Sequence, residues 1–356
     1  MKYKITSTIA VIFLIILFVS CEKEKRYENT PVDPGLIGVF CLNEGAFQAG
    51  NAEISFYPSQ GGTPVRNLYF ESNALPLGDV LQSMTIHNGK AYLCVNNSQK
   101  IEIVETENFK RTGTLYGIRS PRYLIAIDSS TAVVSDWYSN QLYKVDLNTL
   151  TLTDSITCGN GPEQLALKNG KIFVCNSGGF ITDSTITVVD AFSFQAVGSI
   201  PTGVNPSFIT TDSNGKLLVL CRGSLGDDYI ATPDDPGGKL QRIDPMTLQP
   251  EADYDFAYDQ HPLQLQFHDN RIYFLNGSGY YTGKIQWMDS QDWSPGATTL
   301  VQREFYSLGI HPQNSTLYAG KPSFSSNTHV LRFTSNGSLI DSLPSGIAPT
   351  GFVFNL

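Results

Sequence analysis

Pro162-Glu-Gln-Leu-Ala-Leu-Lys-Asn-Gly-Lys-Ile-Phe-Val-Cys-Asn176 reads as two short strands joined by an Asn-Gly turn. Asn-Gly supplies the two positive φ values that a two-residue hairpin requires. A third strand follows at Ser184–Asp190 and a fourth at Ala196–Ile200. Pro206 then opens the next unit. The same order of signals begins at Leu81, Pro121, Pro162, Pro206, Pro262 and Tyr306. A seventh start, Pro349, has only one strand left to it, Pro349–Asn355. Repetition at roughly 40 to 56 residues is the signature of propeller blades.

The N-terminal part supplies what the last unit lacks. Leu36–Cys41, Ala52–Tyr57 and Val65–Phe70 read as a second, third and fourth strand. One C-terminal and three N-terminal strands would close a ring without leaving an unpaired blade edge. The expected fold is therefore all-β: a seven-bladed β-propeller of four-stranded blades over residues 35–356, closed by the C-terminal strand joining the N-terminal blade. Composition agrees. The 356 residues are 41% hydrophobic and 16% charged, with 31 Gly and 19 Pro, which suits a large core cut by many turns. The net charge of -9 opposes phosphate-backbone contact and excludes nucleic acid as a partner.

Ahead of the repeats lies an address. Lys2 and Lys4 precede an eleven-residue apolar run, Ile9–Val19, too short to span a bilayer and right for a signal-peptide core. Ser20-Cys21 ends it and resembles the lipobox of bacterial lipoproteins, which implies lipidation at Cys21. The organisation read is a lipoprotein signal peptide at 1–20, a lipidated Cys and flexible tether at 21–34, and the propeller from 35. The membrane is then met only through the N-terminal lipid. The expected location is the outer membrane, exposed at the cell surface.

The repeat from Pro162 to Asp190 resembles the YncE-like propellers with YVTN-type repeats, across the whole mature domain. That resemblance implies a surface lipoprotein. Some members, the BtuG-like proteins, bind cobalamin and cap a TonB-dependent transporter. A small amphipathic ligand, with a corrinoid leading, and such a transporter are the partners it implies. A protein- or glycan-binding surface module is the alternative.

The Asn-Gly turns lie on one face, and the long connections between second and third strands on the other. Function concentrates on variable loops over a rigid scaffold. One polar residue ends each second strand: Asn43, Asn96, Asp136, Asn176, Arg222, Asn276 and Lys321. Phe47, Trp137, Tyr138, Phe180, Tyr229, Tyr280, Tyr281 and Phe324 follow them closely. Polar ring and aromatics together suit an amphipathic ligand and are the expected binding residues.

Catalytic signals are missing. No HExxH, GxSxG or P-loop occurs, and no cofactor is expected. A propeller lactonase or hydrolase would hold a metal with strand-start residues. Those positions, Gln82, Arg122, Glu163, Ser207, Leu263, Ser307 and Thr350, form a poor ligand set. An enzyme is thus the last-ranked reading. Asp227, Asp228, Asp234 and Asp235 crowd one loop, without the spacing of an EF-hand. His87, His268 and His311 share a slot beside the tight turns and read as solvated. Cys41, Cys94, Cys175 and Cys221 take equivalent strand positions in neighbouring blades, about 10 Å apart and too far to pair.

Overall fold

The computed structural model describes residues 35–356 apart from 60, 227–229 and 280. Tyr229, Tyr280, Asp227, Asp228 and the whole leader and tether, with Cys21, lie outside the described residues. Seven antiparallel blades form the ring. Blade 1 shows the plan: strands Leu81–His87 (a, innermost), Lys90–Val95 (b), Lys100–Glu105 (c) and Arg111–Tyr116 (d, outermost). Blades 2 to 6 start at Pro121, Pro162, Pro206, Leu263 and Ser307. Blade 7 closes the ring, with Pro349–Asn355 paired to Gly38–Asn43 and that strand to Glu53–Pro58.

Burial follows position in the blade. Strand b lies between two strands of its own sheet and between neighbouring blades, so both its faces are covered. It reads as a continuous apolar run: Leu217–Cys221 is wholly buried. The outermost strand faces solvent on its rim, and Thr151–Thr157 carries no buried residue. The tight turns match the sequence. Asn88-Gly89 and Asn169-Gly170 hold φ of 50° and 73°, and 51° and 71°, the mirror-image turn that fits twisted hairpins. Asp146, Asp190 and Asp289 end strand c and Asp244 directly follows it, and each carboxylate accepts the backbone N–H groups two and three residues on.

The fourth position of blade 7 departs from expectation. Val65 bridges Phe56, but Leu68–Asn73 is a short helix rather than the continuation of a strand. Leu68, Tyr69 and Ser72 are buried along one helical face. Asn73 fastens the helix to blade 1, donating to Phe109 O and accepting from Arg111 N. The helix docks there through these bonds and its buried face.

All five cysteines of the described residues are free. Burial pushes the thiols of Cys41, Cys94 and Cys221 up to about 12, so they act as small apolar groups. The expectation of solvated histidines is corrected: His87 and His268 are half-buried, with His268 Nε2 2.7 Å from Ser315 Oγ, and His311 goes further. His311 is buried, its ring 5.5 Å from that of Phe354, because the innermost strand of blade 7 packs against blade 6 there.

Candidate functional site: the channel mouth

Strand a of six blades begins with a β-bulge. The register slips after Leu81, Pro121, Pro162, Pro206 and Leu263, and between the Leu42–Gly351 and Asn43–Pro349 pairs in blade 7. A bulge leaves one or two residues outside the ladder and re-aims their side chains. The bulged residues include Gln82, Arg122, Glu163, Ser207, Gln264 and Thr350, and all six line the mouth of the channel on the loop-rich face. In blade 6, where no slip occurs, Tyr306 takes the place. The mouth thus has a polar floor with one residue from every blade.

Its charges are compensated. Arg122 forks onto Glu163 of the next blade, Nη2 to Oε1 at 2.6 Å and Nε to Oε2 at 3.1 Å. Tyr306 donates its hydroxyl to Glu44, 3.0 Å from each carboxylate oxygen. Burial raises the Glu44 carboxyl above the usual carboxylate value, opposed by hydrogen bonds from Thr350 and Tyr306 and by the charge of Arg122. Glu44 stands where the cavity divides. One lobe of about 610 Å³ lies over the floor. A second of about 710 Å³ extends over blades 7, 1 and 2, past Asn96, Asn97 and Arg119. Both lobes are lined by Glu44, Gln82, Arg122, Trp137 and Phe180.

Aromatic side chains form the rim. Phe180 meets Trp137 edge-on at 4.8 Å and Tyr138 at 5.9 Å. The Arg119 guanidinium sits 3.3 Å from the centre of the Tyr138 ring. Phe324 packs on Tyr306 at 5.1 Å, while Phe47 lines the second lobe and Tyr281 the first. Phe180 is 79% exposed. It follows Gly178 and Gly179, at φ 88° and 68°, and a Cβ on Gly178 would meet Ile181 O at 2.0 Å.

The expected binding residues therefore separate. Phe47, Asn96, Trp137, Tyr138, Phe180, Arg222, Tyr281 and Phe324 come together around the mouth. Asn43, Asp136, Asn176 and Asn276 do not; they are buried staples. Asn43 donates to Ser55 Oγ and accepts from Ser345 Oγ. Asp136 accepts backbone N–H groups of Arg119, Ser120 and Tyr138. Asn176 donates to Thr185 and Thr187, and Asn276 to Gln260 and Gln286. Lys321 is exposed and lines neither lobe. Asn43, Asp136, Asn176 and Asn276 close strand b itself, where blades cover both sides and a polar group finds its partners within the fold, whereas Asn96, Arg222 and Lys321 lie one residue past the strand's end. Five of the strand-start positions that make a poor metal-ligand set, Gln82, Arg122, Glu163, Ser207 and Thr350, do form the floor, and the last four directly follow the proline that opens their unit. Among the described residues, no group of three or more His, Cys, Asp or Glu could hold a metal ion.

Fold and mouth define a β-propeller with a charge-compensated polar floor under an aromatic rim. The chain belongs to the family described as "Domain of unknown function (DUF5074)", whose model matches residues 37–319. No curated protein matches it significantly. Among solved structures it is similar to a quinonprotein alcohol dehydrogenase-like protein from Bacteroides thetaiotaomicron, with TM-score 0.67 and 15% identity over 90% of this chain and 79% of that one. It is also similar to hydrazine synthase of Kuenenia stuttgartiensis, with TM-score 0.63 and 13% identity over 76% and 88%. A third is BamB from Moraxella catarrhalis, with TM-score 0.52 and 11% identity over 79% and 82%. At these identities the likeness is one of fold.

Proposed function

We propose that the protein is a non-enzymatic surface lipoprotein. In this reading it captures a small amphipathic nutrient in the channel mouth and delivers it to a TonB-dependent outer-membrane transporter. The observation that carries the reading is the mouth itself: seven blades each bring one residue to its floor, and flat aromatic surface surrounds it. Aromatic rings offer apolar area at low entropy cost, and Gln82, Gln264 and Thr350 can exchange hydrogen bonds with amides or hydroxyls. A corrinoid combines a flat macrocycle with peripheral amides and is the first candidate. The Asn96, Asn97 and Arg119 side chains under the open rim also suit a neutral glycan, the second reading.

Isothermal calorimetry with cyanocobalamin, dicyanocobinamide and maltoheptaose tests this. Binding by the wild type is expected to weaken in Trp137→Ala/Tyr281→Ala, each lost aromatic contact costing about 2 kcal/mol at a binding hot spot. A ligand bound equally by the double variant would place its site elsewhere. Absence of heat from all three would remove these ligands and the reading built on them.

A further inference from the structure

Gln264 breaks the symmetry of the floor. In blades 2 and 3 the bulge holds the two residues after proline, Arg122-Tyr123 and Glu163-Gln164. In blade 5 Leu263 stays paired, opposite Leu275, and the bulge falls one residue later, on Gln264 and Leu265. Leu263 is thereby turned into the core, and Gln264 takes the place on the mouth that the second residue holds elsewhere. The shift comes with a backbone strain. Gln264 has φ 62°, in the left-handed region, while none of Gln82, Arg122, Glu163, Ser207 and Thr350 has a positive φ. That region is disfavoured for any residue with a Cβ, and glycine would enter it freely. Strained residues of this kind gather at ligand clamps, where the rest of the fold holds them.

The amide so placed is half used. Nε2 reaches past blade 6 to Thr350 O at 3.2 Å. Among the described residues no hydrogen bond to Oε1 occurs. The neighbouring ions of the floor, Arg122 and Glu163, already face each other.

We propose that Gln264 is the residue that reads the ligand at the mouth, its side-chain amide meeting an uncharged hydrogen-bonding group, an amide or a hydroxyl. This rests on the reading of the mouth as a ligand site. A purely structural staple between blades 5 and 7 would show itself differently, and two variants separate the cases. Gln264→Gly removes the amide and relieves the backbone. Gln164→Gly is the control, since Gln164 has an ordinary φ and its Oε1 accepts the N–H of Ile209 at 3.0 Å.

Thermal melts and calorimetry with cyanocobalamin, dicyanocobinamide and maltoheptaose are the measurements. Gln264→Gly is expected to melt close to wild type, because relief of strain offsets the lost bond to Thr350. Gln164→Gly should melt lower. The ligand bound by wild type should bind Gln264→Gly about tenfold more weakly, the value of one hydrogen bond in a desolvated site. A Gln264→Gly protein that melts as low as the control makes the residue a staple and overturns the proposal. Unchanged affinity overturns it as well, while leaving the mouth as the site. Wild type that binds none of the three removes the mouth reading, and this proposal with it.

Discussion

Asn43 and Gln82 show how far single residues can be read. Both are amides near the same face, and spacing marked the first as a ligand contact. The structure seats Asn43 between strands, with its amide donating to Ser55 and accepting from Ser345. Gln82 sits on the bulge and faces the cavity. What decides between them is the pairing register, and a bulge of one residue leaves no mark in a polar/apolar pattern. The alignment by constant offset failed for the same reason at Leu263, where the slip is displaced by one position. Asn43→Ala is expected to destabilise the fold by about 1–3 kcal/mol, because buried hydroxyls of Ser55 and Ser345 lose a partner. Denaturant unfolding measures the loss. Ligand affinity at the mouth should stay at the wild-type value, and a variant that is stable but binds poorly would return Asn43 to the site.

Strands and turns were largely legible because their signals are local. Asn-Gly fixes the hairpins, and the aspartates at the end of strand c cap the next turn by accepting two N–H groups. The helix Leu68–Asn73 was not legible: Leu-Tyr-Phe suits a strand as well as a helix, and the outcome depends on docking to blade 1. The aspartate turns carry a pH signature. Asp244 is lowered to about 2, first by its hydrogen bond from Lys216 and then by the amides of Thr247 and Met246. Its unfolded value is near 3.9, so its contribution is whole above about pH 4 and is lost as the pH falls through about 2. Asp244→Asn keeps the turn acceptor and removes the charge. The melting temperature of wild type should exceed that of the variant at pH 5, and the two should converge by pH 2. A gap that stays constant over that range would show that the charge contributes nothing.

At the scale of the whole molecule, the ring closure ties the point where the chain enters to the direction the mouth faces. Gly35 N–H donates to Glu107 O at 2.8 Å, in the turn between strands c and d of blade 1. That turn lies on the tight-turn face. The first strand of the chain then runs from Gly38 across the blade to Asn43, and Glu44 follows it into the mouth. Gly35, where the described chain begins, therefore lies on the face opposite the cavity. With Cys21 lipidated, as proposed, the anchor would lead to the tight-turn face rather than to the mouth. Cys21→Ala is expected to move the protein from the membrane fraction to the soluble fraction with its melting temperature unchanged, because the anchor lies outside the ring. Cell fractionation and a thermal melt on the same preparation check both halves. Unchanged membrane association of Cys21→Ala would remove the lipid anchor and would leave the mouth and its ligand chemistry untouched.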